Sequence, residues 1–307
     1  MPSLTEQIKE LAHELGFDKV GITAARQPAK SIHLKEWLQR SYHGTMQWMN
    51  THQSKRISIQ EFVPGARSVI CVACNYNAPE QHPDGRTTGK ISRYAWGEDY
   101  HKIIKKKLKH LLSEIKRYDP EINGRLCVDT APIMEKLWAE QAGIGWQGKH
   151  TNLITREYGS WVFLGEIVVD KVLDYDAPAQ DHCGTCRACM DACPTRAIIG
   201  PNILDARKCI AYLTIEYWDA PIPENLQKDM NGWIFGCDIC QNVCPWNSFS
   251  RITQETRFLP GPGNVDTPLQ EWAEITESSY KKRFKKSPVS RPGWNNFIRN
   301  VNACPGK

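Results

Sequence analysis

Residues 183–194 read CGTCRACMDACP and residues 237–247 read CDICQNVCPWN. The first run sets cysteines at 183, 186, 189 and 193, with Pro194 directly after them. C-x2-C-x2-C-x3-C-P is the bacterial ferredoxin spacing, in which three thiolates hold one [4Fe-4S] cluster and the fourth reaches across to a second. Only at this close spacing can a short loop wrap three thiolates around one face of a cubane, and the proline then turns the chain away. The second run, Cys237, Cys240, Cys244 and Pro245, ends in the same way but has one cysteine fewer. Cys209 makes up the number. Two clusters need eight thiolates, and the expected sets are Cys183, Cys186, Cys189 and Cys244 on one and Cys193, Cys209, Cys237 and Cys240 on the other. The plainer alternative is a pair of structural zinc sites with four cysteines each, which C-x2-C pairs also support. A zinc ribbon has no need of a third cysteine at the same spacing, or of two C-P endings.

The surrounding composition favours metal ligation over disulfides. The chain has 307 residues, 41% hydrophobic and 24% charged, enough for two domains with a sizeable core. No apolar run approaches the roughly 18 residues of a membrane span, and the opening MPSLTEQIKELAHELG reads as an amphipathic helix, not a signal peptide. A cytoplasmic protein without membrane contact is therefore expected, and its 12 cysteines would be kept reduced there. The four outside the cluster sets have plainer readings. Cys71 and Cys74 in SVICVACNY and Cys127 in RLCVDT are small buried hydrophobes, and Cys304 falls in a tail expected to be loosely packed.

Two clusters held close by crossed ligation relay electrons but make no reaction, so the rest of the chain must supply the acceptor. SLTE (3–6) is a capping box that opens a helix closed by Gly16. Strands are expected at 17–23, 68–76, 125–130, 151–155 and 159–169, and helices at 31–40, 99–118 and 134–143. Helices alternating with strands to about residue 175 make an α/β layer structure. The expected division is 1–177 for the catalytic domain, 178–250 for the inserted ferredoxin-like domain and 251–307 for a basic C-terminal segment. Phosphate-loop and dinucleotide glycine motifs are absent. Asp99-Tyr100-His101-Lys102-Ile103-Ile104 begins like a D-x-H-x-x-G cobalamin loop, but Ile104 stands in place of the glycine and the segment reads as helix, so His101 is not assigned to cobalt.

SRYAWGEDYH (92–101), VDTAPIMEKLWAEQAGIGWQGKHTNLI (128–154), EYGSWVFLGEI (157–167) and the two cysteine runs together resemble the epoxyqueuosine reductase family, over nearly the whole chain. That family is similar to the reductive dehalogenases. The resemblance implies a nitroreductase-like α/β domain that binds cobalamin base-off, without a protein histidine on cobalt, and carries an inserted ferredoxin-like domain with two [4Fe-4S] clusters. It implies Asp129 as proton donor. It implies Arg56, Ser92, Asp129, Leu153 and Arg207 around the corrin, and a tRNA with a GUN anticodon carrying epoxyqueuosine as substrate. Without the resemblance Asp129 could cap the following helix, Arg56 and Arg207 could be surface arginines and Leu153 plain core. An acid facing a largely apolar corrin pocket is expected to have its pKa raised by desolvation. The resemblance also extends to longer relatives with a helical-repeat module after the catalytic region, and no such module is expected from these residues.

Residues 251–307 hold ten Lys or Arg against five Asp or Glu, which accounts for the chain's formal charge of +5. YKKRFKKSPVSRPGW (280–294) sets Lys281, Lys282, Arg283, Lys285 and Lys286 among Tyr280, Phe284 and Trp294, a pattern suited to phosphate neutralisation with base stacking. The other reading is a solvated face. Three functions are weighed: a tRNA-modifying reductase fed by an external electron donor and acting as a monomer, a small-molecule cobalamin reductase of dehalogenase type, and a ferredoxin-like electron carrier. The last leaves the large N-terminal domain without a task.

Overall fold

The computed structural model describes residues 2–218 and 220–304. Helix α1 (Leu4–Glu14) starts at the expected capping box, with Glu6 N–H donating to Ser3 Oγ at 3.3 Å and Ser3 N–H to the Glu6 carboxylate at 2.7 Å. Gly16 ends it at φ +76°, a conformation that costs glycine little. Strands β1 (Lys19–Ala24) and β2 (Ser68–Asn75) follow, then helix α2 (Tyr100–Tyr118), strand β3 (Gly124–Cys127), helix α3 (Glu135–Gln141) and strand β4 (Val162–Val169). All eight residues of β2 are buried, as a continuous apolar run in a central strand requires.

The sheet order is β1-β2-β4-β3, and every pair in it is antiparallel. Helices and strands do alternate as expected. The layers nevertheless come from an antiparallel sheet covered on both faces, not from parallel βαβ crossovers. On one face α1 and α2 bury Ile8, Ile103, Ile104, Leu108 and Leu111 against Ile22, Ile70, Val72 and Ile167. On the other, α3 sets Trp138 and Ala139 against Val69, Cys71, Cys127, Leu164 and Val168. The end of α3 approaches so closely that a Cβ on Gly21 of β1 would lie 1.9 Å from the Ala142 carbonyl oxygen.

A third core joins the remaining segments. Ile91 and Trp96, then Ile210, Leu213, Trp233 and Phe235, then Trp272, Tyr280, Phe284, Phe297 and Val301 pack as one cluster, closed by helix α4 (Gly293–Ala303). Two expectations fail here for one reason. Cys304 is buried, its thiol facing the Trp233 carbonyl at 3.7 Å, so this part of the tail is tightly packed. Tyr280 and Phe284, read as platforms for bases, are core aromatics, Tyr280 tilted against Phe297 and Phe284 stacked on Trp272, because a short C-terminal segment must bury apolar area to fold at all. Among the described residues no helix is long and apolar enough to cross a membrane.

Candidate active site and cluster centres

Strand β3 carries the chain to Cys127, and two residues later the backbone turns at Asp129 with φ +51°, a left-handed conformation that aspartate tolerates better than most residues. Two groups hold the turn. The Asp129 N–H donates to the carboxylate of Glu135, the first residue of α3. Asp129 Oδ2 accepts from His101 Nε2 at 3.0 Å, and His101 Nδ1 donates in turn to Asp99 Oδ1 at 2.7 Å. Asp99 also caps α2, accepting from the His101 N–H at 3.1 Å, while Tyr100 stacks on the imidazole at 4.1 Å and on Phe163 at 4.2 Å.

Both ring nitrogens of His101 therefore face carboxylates. Burial works against its charge, but the bonds to Asp129 and Asp99 outweigh burial and push it up to about 9. Burial also works to raise Asp129, yet the His101 hydrogen bond and charge, with help from Arg291 and Lys136, hold it below the usual aspartate value. This corrects the expectation of a desolvated, protonated Asp129. At neutral pH the proton resides on His101, and the pair is an imidazolium–carboxylate. Glu135 is different: burial and the Asp129 charge push it up to about 8. Under α3, Glu166 of β4 lies between Cys71 and Cys127 in register, completely buried, with neither carboxylate oxygen partnered. Burial drives its pKa far up, so it is a neutral acid.

The other expected corrin residues are spread more widely. Arg56 is buried, its guanidinium 5.0 Å from the Trp48 ring, with Nε unpartnered and the charges of Asp129 and Glu135 close enough to counter the desolvation that lowers its pKa. Ser92 is buried and donates to Asp238, which also accepts the Arg93 N–H at 2.7 Å, so Ser92 is tied to the loop bearing Cys237 and Cys240. Leu153 is part of the core beside α3. Arg207 spends its guanidinium on both oxygens of Asp205, at 2.8 and 2.9 Å. A larger cavity of about 650 Å³ opens between Asn77–Trp96 and Asn231–Ile252, and none of the expected corrin residues lines it.

The structure brings the cysteines of the two runs, with Cys209, into one neighbourhood. The Cys244 thiol is near enough to Cys183, Cys189 and Cys186 to feel their charges, and Cys189 feels Cys183 and Cys186. Cys237 is near Cys240 and Cys209, and Cys240 near Cys209 and Cys193 and also close enough to Cys189 of the first run to feel its charge. The first four line a cavity of about 330 Å³ with His150, Trp246 and Phe249. Among the described residues no three His, Cys, Asp or Glu side chains converge tightly enough for a single metal ion. Cys71, Cys74 and Cys127 are buried, as expected of small apolar strand residues.

Family models match on both sides of this arrangement: "Epoxyqueuosine reductase QueG, DUF1730" over residues 56–130 and "4Fe-4S double cluster binding domain" over residues 182–247. The second match spans all eight cysteines. The epoxyqueuosine reductase of Leadbetterella byssophila is 47% identical over 302 residues, 98% of each chain. The chain belongs to the epoxyqueuosine reductases. It is thus an oxidoreductase with an iron–sulfur domain, which displaces the zinc alternative. A solved epoxyqueuosine reductase with an epoxyqueuosine-modified tRNA-Tyr stem loop superposes at TM-score 0.89 and 30% identity, covering 98% of this chain and 80% of that one. Another, from Bacillus subtilis, solved with its aspartate-bearing catalytic loop swung out of the active site, superposes at 0.88 and 29% identity, with the same coverage.

In this epoxyqueuosine reductase the basic segment is joined by its backbone to Asp99, at the start of α2. The Lys286 carbonyl accepts the Asp99 N–H at 2.7 Å, so Lys285 and Lys286 are exposed beside the start of α2. Lys281 pairs with Glu277 at 2.6 Å and Lys282 is exposed. Arg283 does not belong with them, since it lies 4.2 Å over the Trp272 ring and donates to the Pro262 carbonyl at 2.8 Å. The sequence pattern did not single out His101, Glu135 and Arg291 as partners of Asp129. Asp99-x-His101 at a helix start was a usable signal for the first, whereas Arg291 shows no local one.

Proposed function

We propose that this reductase converts epoxyqueuosine to queuosine at the wobble position of a tRNA with a GUN anticodon, using two [4Fe-4S] clusters and base-off cobalamin. The observation that carries the reading is an acid–base pair, Asp129 with His101, on the same molecule as two cysteine foursomes. Loss of the epoxide oxygen as water takes two electrons and two protons. Cys183, Cys186, Cys189 and Cys244 would hold one cluster and Cys193, Cys209, Cys237 and Cys240 the other. The buried Arg56, with an unpartnered Nε beside Asp129, fits a polar cofactor edge, and with Ser92, Asp129, Leu153 and Arg207 it would hold the corrin on a nitroreductase-like domain. Cobalamin, when bound, supplies the electrons to the epoxide carbon.

The chain's own part is proton management. Protonation makes the epoxide oxygen a far better leaving group, so Asp129 would donate one proton with His101 as its reservoir across a 3.0 Å bond, the second proton of the water coming from solvent. His101 holds Asp129 in place, and Glu135 holds the backbone of its left-handed turn. A loop seen swung out in a relative supports a donor that moves with substrate. Lys281, Lys282, Lys285 and Lys286 would meet phosphates. The enzyme would act as a cytoplasmic monomer with an external electron donor, divided at 1–177, 178–250 and 251–307.

The test is anaerobic reconstitution followed by incubation with tRNA that lacks only the last queuosine step. Conversion dependent on both cobalamin and reductant is expected. Equal turnover of small halogenated compounds with none on tRNA would move the function to the dehalogenase class.

A further inference from the structure

His150 occupies the tight turn between the paired segments Trp146–Gln147 and Leu153–Ile154. The turn closes through Gly148 N–H to the Asn152 carbonyl and Thr151 N–H to the Gly148 carbonyl, both at 2.8 Å. Lys149 clamps it to the cysteine loop by donating to the Gly184 carbonyl at 2.6 Å and the Cys186 carbonyl at 2.8 Å. The His150 ring is thereby fixed in the wall of the cavity lined by Cys183, Cys186, Cys189 and Cys244.

Its tautomer follows from its neighbour. Asn152 N–H donates to His150 Nδ1 at 3.2 Å, so Nδ1 must present a lone pair and the ring proton sits on Nε2. Burial and the Lys136 charge keep the ring neutral. Only 4% of His150 is exposed, and Nε2 has no partner. A buried N–H donor without an acceptor is costly; the imidazole of His182 in the same wall already takes Arg156 at 2.8 Å on Nε2, which leaves the cysteine sulfurs as the side-chain acceptors of this cavity.

We propose that His150 donates its Nε2–H to a sulfur of the cluster held by Cys183, Cys186, Cys189 and Cys244, and that this bond raises the reduction potential of that cluster. The inference rests on the cluster assignment proposed above. An N–H···S bond favours the reduced state because reduction adds negative charge at sulfur, and hydrogen bonds to the sulfurs are among the protein's means of setting cluster potentials. The other foursome is served differently, Cys193 Sγ accepting the backbone Ala197 N–H at 3.2 Å. His150 is a positioning residue for electrons, tuning where they rest before they reach the Asp129 site.

The experiment compares reconstituted wild type with His150→Leu and His150→Gln, titrating each potentiometrically under electron paramagnetic resonance, with iron and sulfide determined on every sample. His150→Leu should move one cluster to a more negative midpoint and leave the other unchanged, while His150→Gln, whose amide can still donate, should recover most of the shift. An unchanged midpoint in His150→Leu overturns the proposal. Pulsed resonance on wild-type protein with 15N-labelled histidine needs no variant: nitrogen coupling on one reduced cluster is expected, and its absence overturns the assignment. Wild type without iron in this foursome would overturn the cluster reading too, and the iron analysis tells the two failures apart.

Discussion

The Asp129 site and the cysteine half treat their polar groups in opposite ways. Around Asp129 the protein satisfies itself: His101 bonds the carboxylate, Asp99 bonds His101, and Glu135 takes the backbone N–H. In the cysteine half eight thiols stand without disulfides, burial raises Cys244 to about 11 and Cys240 further, and the Nε atoms of His150 and Trp146 lack partners. Each such orphan donor costs about 1–3 kcal/mol while it stays buried and unbonded. The Asp129–His101–Asp99 chain can thus form with the fold alone, whereas the cysteine half, like the orphan Arg56 Nε near Asp129, is complete only with something bound. Because thiols so raised are protonated, loading must release protons, and cluster assembly should be favoured by higher pH.

The largest expected effect breaks the cysteine half alone. Cys209→Ser should abolish turnover and lower iron from about eight to about four atoms, since one cluster of four irons loses a ligand. Resonance spectra of the remaining cluster should persist. Stoichiometric zinc in place of iron after anaerobic preparation would end the assignment.

Asp129→Asn breaks the other half. The variant should keep both clusters and its cofactor while turnover falls by about 10²–10⁴, the usual range for a lost general acid. Near-normal turnover with confirmed cofactor content would mean that the proton comes from elsewhere.

A pH profile sharpens the comparison further. His101 is raised in the folded protein, so the stability it adds is complete below its ordinary value and is lost as pH rises through about 9. Asp129 is depressed, so its contribution holds above its ordinary value and fades as pH falls. Turnover should therefore decline on the alkaline side near pH 9, and Asp99→Asn, which removes one of the two partners that raise His101, should move that limb to lower pH. An unmoved limb would assign it to another group.

The smallest effect concerns tRNA. Replacing Lys282, Lys285 and Lys286 by alanine should weaken binding and flatten its salt dependence, by about one unit of slope for each phosphate that loses its lysine, with cofactor binding unchanged. Arg283→Ala should instead lower the melting temperature, because its guanidinium is packed on Trp272. If the slope survives removal of all three lysines, the tRNA lies on another face.

What the sequence by itself determined is what depends on near neighbours. The ferredoxin spacing, the Ser3–Glu6 box, the Gly16 stop and the apolar stripe of α2 each follow from chain geometry over a few residues, and all were legible. Tertiary structure decided the rest. The direction of the strands depends on which connections fold back, and the helix–strand alternation is the same for either sheet. Burial of Tyr280 and Phe284 depends on Trp272 and Phe297 arriving from elsewhere, so a basic aromatic stretch reads as a nucleic-acid platform until its partners are present. The protonation of Asp129 depends on tertiary partners in the same way. Desolvation could be inferred from an apolar strand end, but the imidazole that outweighs it comes from 28 residues upstream, and a charge at 3.0 Å counts for more than partial burial.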